Sequence, residues 1–293
     1  MHRSGFVNII GNPNVGKSTL MNELVGERLS IITSKVQTTR HRILGIVNGE
    51  DFQIVYSDTP GILKPQYKLQ ESMLKYVNTA FIDADVILYV TDVVEKADKN
   101  ISYLERLHKT HIPVLLLINK IDLIENARIE KLVEDWHALL PNAEVLPVSA
   151  LEKTNLALLF DKILSLLPEG PEYYPKNEFT DRSERFFISE IIREKIFLFY
   201  QKEIPYSVEV GIESYQEEAE IIRIRATIFV LRQSQKGILI GHRGKALKKV
   251  GTEARKDMEG FLNKKVFLEL HVKVNKEWRN QKSKLKRFGY DNI

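Results

Sequence analysis

One stretch constrains this chain more than any other. Gly11-Asn12-Pro13-Asn14-Val15-Gly16-Lys17-Ser18 follows an apolar run and precedes a helical pattern over Lys17–Val25. Glycines at this spacing let backbone N–H groups curl around phosphate oxygens, and the helix N-terminus behind them adds positive potential. Lys17 can reach the outer phosphates of a nucleotide, Ser18 can ligate Mg²⁺, and Thr19 is counted with the loop. Such a loop needs a strand to deliver it and a helix to receive it. The chain is therefore expected to begin with an α/β sheet.

The first 167 residues agree with that expectation. Strands are predicted at Phe6–Gly11, Ile43–Val47, Phe52–Asp58, Val86–Thr91, Val114–Asn119 and Glu144–Ser149, several of them continuous Val/Ile/Leu runs typical of a sheet covered on both faces. Helical patterns at Lys17–Val25, Leu69–Phe81, Ile101–Lys109, Ile129–Leu139 and Leu156–Leu166 lie between most of them. Only Asn48-Gly49-Glu50-Asp51 separates the second and third strands, a hairpin signal. The expected fold is a mostly parallel α/β sheet with one antiparallel edge.

Further motifs fall at the C-terminal ends of these strands. Asp58-Thr59-Pro60-Gly61 places a carboxylate beside the phosphate loop, where it can hold the metal, and a glycine N–H that can meet a γ-phosphate. Asn119-Lys120-Ile121-Asp122 offers a carboxylate able to accept from guanine N1–H and N2–H₂, a donor pair that adenine lacks. Lys120 can lay its methylene stem along the base, and Asn119 can tie this loop to the phosphate loop. Ser149-Ala150-Leu151 closes the set, with a backbone N–H for guanine O6.

In this order the motifs resemble the GTPase superfamily of the translation-factor-related kind. The resemblance makes Thr38-Thr39-Arg40 the first switch, with Thr39 closing on Mg²⁺ and the γ-phosphate. Metal ligands would then be Ser18, Thr39 and Asp58, and Lys17, Thr39 and Gly61 would serve catalysis. Ras-like members carry a glutamine after the D-x-x-G glycine that orients the attacking water; here the position is Ile62, so slow intrinsic hydrolysis is expected. Either K⁺ held by Asn14, as in related enzymes, or an RNA or ribosomal partner would supply the missing help. The alternative for Asn14 is that it only shapes the loop.

Around 168–180 the pattern stops at Pro168, Gly170, Pro171 and Pro175, a linker signal. Residues 181–293 read as a second, α+β domain: a helix at Ser183–Tyr200, strands at Tyr206–Glu213 and Ile221–Leu231, a helix at Lys245–Leu262, a strand at Lys265–Lys273 and a basic tail. The overall net charge of +4 hides a split, with −9 over residues 1–220 and +13 over 221–293. A basic C-terminal part suits nucleic acid or an anionic membrane surface. There are no cysteines, which excludes disulfides, thiolate metal sites and a cysteine nucleophile. The N-terminus lacks a signal or transit pattern, and no apolar run is long enough to span a bilayer, so a soluble intracellular protein is expected.

Gly241-His242-Arg243-Gly244 follows Ile238-Leu239-Ile240 and precedes a helix bearing Lys245, Lys248, Lys249, Arg255 and Lys256. This resembles a type II KH domain, whose G-x-x-G loop grips a single-stranded backbone. The resemblance makes Ile238 and Ile240 base-facing groove residues; the alternative is that they are core. Trp278 in the basic tail either stacks on bases or docks the last helix.

An N-terminal GTPase domain, a linker and a C-terminal KH domain together resemble the Era family of bacterial ribosome-assembly GTPases. The resemblance implies a GTP/GDP cycle with Mg²⁺, binding of 16S rRNA near its 3′ end, a role in small-subunit maturation, and a monomer. It also implies a cytoplasmic protein with peripheral contact at the inner face of the cell membrane. A membrane-surface signalling GTPase, using the basic tail for anionic lipid, is the alternative.

Overall fold

The computed structural model describes residues 1–95 and 101–290. They form two compact units: Met1–Ser30, Thr39–Pro65 and Gln70–Asp181 make the first, while Ile31–Thr38, Gln66–Leu69 and the chain from Arg182 onward make the second.

The first unit is a six-stranded sheet in the order β2-β3-β1-β4-β5-β6. Its strands are β1 (Arg3–Gly11), β2 (Ile43–Asn48), β3 (Phe52–Asp58), β4 (Val86–Asp92), β5 (Val114–Asn119) and β6 (Glu144–Pro147). All pairings are parallel except the β2–β3 edge, which the short Asn48–Asp51 connection forces. The helices are α1 (Lys17–Val25), α2 (Lys68–Ile82), α3 (Ile101–Lys109), α4 (Asn126–Leu139) and α5 (Leu156–Leu166). Val77 and Phe81 of α2, Leu107 of α3 and Trp136 of α4 pack with Ile87, Tyr89, Leu116 and Ile118 in one core. Leu88, Val90, Leu115 and Leu117 alternate with those strand residues and are buried as well. Both faces are thus covered, which is why β4 and β5 read as unbroken apolar runs. Each such side chain contributes roughly 1.5–3 kcal/mol on burial.

The stretch 168–180 lies along the first unit. Ser4 N–H donates to Pro168 O at 3.1 Å, Ile46 N–H to Phe179 O at 3.0 Å, and Gln53 Nε2 to Tyr174 O at 2.7 Å. Its prolines leave few backbone donors of its own, and residues of β1, β2 and β3 donate to its carbonyls.

The second unit contains α6 (Glu184–Phe199), α7 (Ile204–Ser207), β7 (Glu209–Glu217), β8 (Ile221–Val230), α8 (Gln233–Ile240), α9 (Lys245–Leu262), β9 (Lys265–Val274) and α10 (Lys282–Arg287). Its sheet runs β7-β8-β9, antiparallel then parallel. Ile222, Ile224 and Ile228 of β8 alternate inward against Ile188, Ile192 and Ile196 of α6 and Val250, Ala254 and Met258 of α9.

Two differences from the sequence expectation have physical causes. Tyr206 and Ser207 are not strand: Pro205, with its fixed φ, starts the short α7 there. Gln233–Ile240, to which the sequence pattern assigns no element, is a helix. Gln235 Oε1 accepts from the N–H groups of Leu231 and Arg232, both at 3.0 Å, and so secures the helix start. Trp278 is fully buried, donates Nε1–H to Ser207 O at 3.1 Å and meets Phe288 edge-on at 5.8 Å. It docks the tail and leaves no face for a base. Among the described residues no helix is long and apolar enough to cross a membrane.

Candidate functional site

The loops at the C-terminal ends of β1, β3, β5 and β6 meet. Gly16 has φ +97°, and a Cβ there would lie 2.2 Å from Asn119 Nδ2, so only glycine lets the phosphate loop pass this close. Asn119 donates from that nitrogen to Val15 O at 2.8 Å and accepts Ala150 N–H at 3.0 Å. One buried amide thereby joins three loops. Asp122 accepts from Ser149 Oγ at 2.5 Å, and Lys120 Nζ donates to Asn14 O at 2.6 Å. Asn14 itself is exposed in the loop with φ +66°. Ala150 is buried and Leu151 exposed. Thr59 Oγ1 donates to Ile9 O at 2.7 Å, fixing the turn that carries Pro60 and Gly61.

Three oxygens cluster on one side. Ser18 Oγ lies 2.7 Å from Asp58 Oδ2 and 2.9 Å from Thr39 Oγ1, and Thr39 Oγ1 lies 3.3 Å from Asp58 Oδ2. Among the described residues the other carboxylate oxygen of Asp58, Oδ1, is buried without a hydrogen-bond partner. Burial pushes the Asp58 carboxyl up, against the hydrogen bond from Ser18 and the charge of Lys17. Hard oxygens with an unsatisfied carboxylate are the donor set a divalent cation such as Mg²⁺ takes, so the residues present fit that ion.

Lys17 is buried, and its ammonium donates to Gly11 O at 3.0 Å and Asn12 O at 2.6 Å. Burial brings its pKa down to about 8, with the Asp58 and Glu95 carboxylates holding it up. Ile62 stands where a water-orienting glutamine would, and it is 5% exposed and part of the α2–β4 core. Its side chain faces apolar neighbours, and its N–H donates to Gly11 O at 3.1 Å.

Two acidic residues at this site carry no motif. Glu95 accepts from the Asn12 side chain and, at 3.0 Å, from Thr91 Oγ1. Asp92 pairs with Lys120 at 2.6 Å and accepts the N–H groups of Val94 and Glu95. Their place at the end of β4, between the phosphate strand and the Asn119 strand, was the only available signal.

In the second unit a groove of about 360 Å³ opens beside Gly244. Leu247, Lys248, Gly251, Thr252 and Arg255 of α9 line it with Leu268 and Leu270 of β9. Gly241 has φ +68°, and a Cβ there would press on Ala246 at 2.6 Å. His242, Arg243, Lys245, Lys248 and Lys249 are exposed, and Lys249 lies over the Phe199 ring at 4.3 Å. Ile238 is 51% exposed on α8 and Ile240 packs against the core. The apolar floor of this groove comes from Leu268 and Leu270. Sequence reading missed these because β9 lies far along the chain from the loop.

The fold and these loops define a class: a phosphate-loop GTPase unit joined to a KH unit. The family model described as 50S ribosome-binding GTPase matches residues 6–120, and the KH domain model matches residues 203–279. The chain is 44% identical over 292 residues to the GTPase Era of Clostridium kluyveri, covering 99% of this chain and 100% of that one. It is 42% identical over 291 residues to the GTPase Era of Staphylococcus epidermidis, covering 99% and 97%. A crystal structure of Era in complex with MgGDPNP and nucleotides 1506–1542 of 16S ribosomal RNA superposes with a TM-score of 0.95 at 37% identity, covering 99% of each chain. A variant of Aquifex aeolicus Era bound to GDP·AlF4⁻ superposes with a TM-score of 0.94 at 37% identity, covering 98% of this chain and 99% of that one. The chain belongs to the Era family, and it is a GTPase.

Proposed function

We propose that this chain binds and hydrolyses GTP in its first unit and binds 16S rRNA near the 3′ end through its second, acting in maturation of the small ribosomal subunit. The observation that carries the nucleotide reading is the cluster of Ser18, Thr39 and Asp58 around one unsatisfied carboxylate oxygen. Those three residues would hold Mg²⁺, which when bound would neutralise developing phosphate charge. Lys17 takes the outer phosphates, and the Gly61 N–H faces the γ-phosphate. Asp122 accepts the two guanine donors, while Asn119 keeps base and phosphate loops in register. Ile62 supplies no water-orienting group, so intrinsic turnover is slow and K⁺ at Asn14 assists it.

The rRNA reading is supported by the groove beside Gly244, by the net +13 of residues 221–293, and by the rRNA bound in the superposed Era complex. Gly241–Gly244 grips backbone phosphates, and Lys248 and Arg255 extend the charge along the groove. We take the functional boundaries as 1–167, 168–180 and 181–293, and the protein as a cytoplasmic monomer with peripheral contact at the inner membrane face.

Crosslinking of the GTP-bound protein to cellular RNA tests this. Contacts at the 16S 3′ end, mapping to the Gly241–Gly244 loop, are expected; crosslinks scattered over unrelated RNA overturn it. Gly244→Asp separates RNA from lipid, since RNA binding should collapse while liposome binding persists.

A further inference from the structure

Asp92 ends β4, the strand between β1 with its phosphate loop and β5 with its base loop, all within the first unit. Its Oδ2 accepts from Lys120 Nζ at 2.6 Å. Its Oδ1 accepts the N–H groups of Val94 at 3.0 Å and Glu95 at 2.9 Å, which closes a turn. Lys120 and Glu95 each go on to the phosphate loop. Lys120 Nζ also donates to Asn14 O at 2.6 Å, and the Glu95 carboxylate accepts from the Asn12 side chain. One carboxylate, 7% exposed, thus reaches that loop by two routes.

Lys120 is the more demanding partner. Its backbone is left-handed, with φ +64°, a conformation that a non-glycine residue keeps only where its surroundings hold it. Its ammonium is anchored at the far end by Asp92 and Asn14. The methylene stem therefore stretches from the base loop to the phosphate loop and is not free to swing. A stem held at both ends offers a base an apolar side at little cost in side-chain entropy on binding. We propose that Asp92 is a positioning residue for guanine nucleotides: its carboxylate holds the Lys120 stem along the base and, through the Glu95 turn, holds Asn12 of the phosphate loop. The inference rests on the reading of Lys120 as the residue that lies along the base. Asp92 acts through Lys120 and Glu95, on base and phosphate loop alone, so GTP and GDP depend on it alike.

The test measures the affinity of the full chain for GDP and for Mg·GDPNP, together with the melting temperature of each variant. Asp92→Asn keeps one acceptor oxygen, which the two turn N–H groups take, and loses the acceptor for Lys120. It should weaken both nucleotides roughly tenfold, the factor for losing one charge-assisted hydrogen bond. Lys120→Met keeps an apolar stem without the ammonium and should cost as much; adding Asp92→Asn to it should change nothing more. Asp92→Ala also opens the turn and should weaken binding further, in the Lys120→Met background too. A merely structural role would lower the melting temperature with affinity unchanged, or give the same loss from Asp92→Asn with and without the Lys120 ammonium, and either result overturns the proposal. Should Asp92→Ala fail to fold, Asp92→Asn beside Lys120→Met decides. If Lys120→Met leaves affinity unchanged, the reading of Lys120 along the base has failed. If Lys120→Met weakens binding and Asp92→Asn does not, the positioning role of Asp92 has failed.

Discussion

Asn119 donates its side-chain amide to Val15 O at 2.8 Å while accepting Ala150 N–H at 3.0 Å, and it is 2% exposed. One side chain therefore braces the phosphate loop and the loops after β5 and β6 against one another. Asn119→Ala strands two buried backbone groups at once. A stability loss of about 2–4 kcal/mol is expected, together with weaker binding of GTP and GDP alike. Denaturant titration and fluorescent-nucleotide binding check the two parts, and an unchanged midpoint would contradict the bracing.

Lys17 sets a pH dependence whose sign can be worked out. In the free protein burial brings its pKa to about 8. Bound phosphates favour the charged form and raise it again. Binding at pH 8 should then take up about half a proton, and binding at pH 6.5 almost none. Affinity is highest below pH 8 and falls as pH rises through it. Calorimetry in buffers of different ionisation enthalpy measures the uptake directly; release of protons at pH 8 would sink the assignment.

Ile62 is core as well as a gap in the catalytic set. Ile62→Gln buries an amide among Ile10, Val77 and Phe81. It should cost about 3 kcal/mol without accelerating hydrolysis. The help expected from Asn14 shows instead as faster GTP turnover in K⁺ than in Na⁺ buffer at equal ionic strength. Equal rates in the two buffers remove the monovalent cation from the scheme.

The groove makes a quantitative claim about salt. Lys248→Ala and Arg255→Ala should each lower RNA affinity and reduce the slope of log affinity against log salt by about 0.7, the value for one single-strand phosphate contact. GTP affinity should not move. Ile238→Ala, at an exposed position of α8, checks the base-facing role expected of that residue: a loss of RNA affinity supports the role, and an unchanged affinity removes it.

The nucleotide loops were legible because each motif sits at a strand end and the strands are long apolar runs. Position in a parallel sheet then brings the loops together. Glu95 and Asp92 were not legible, since a carboxylate after β4 matches no spacing rule until β4 is known to lie between β1 and β5. Gln233–Ile240 carries no legible helix signal, because Gly237 in its middle lowers helix propensity and the Gln235 cap that stabilises its start depends on side-chain geometry. The buried charges of α6 were equally hidden: Arg193 answers Thr38 and Lys195 answers Asp257, and no local pattern links such distant positions.

Trp136 and Trp278 are the chain's two tryptophans, and each is buried in a different unit. The molecule thus carries its own pair of optical probes. Replacing either indole by phenylalanine leaves a single emitter, so the melting of the nucleotide unit and of the RNA unit can be followed one at a time without attaching a dye.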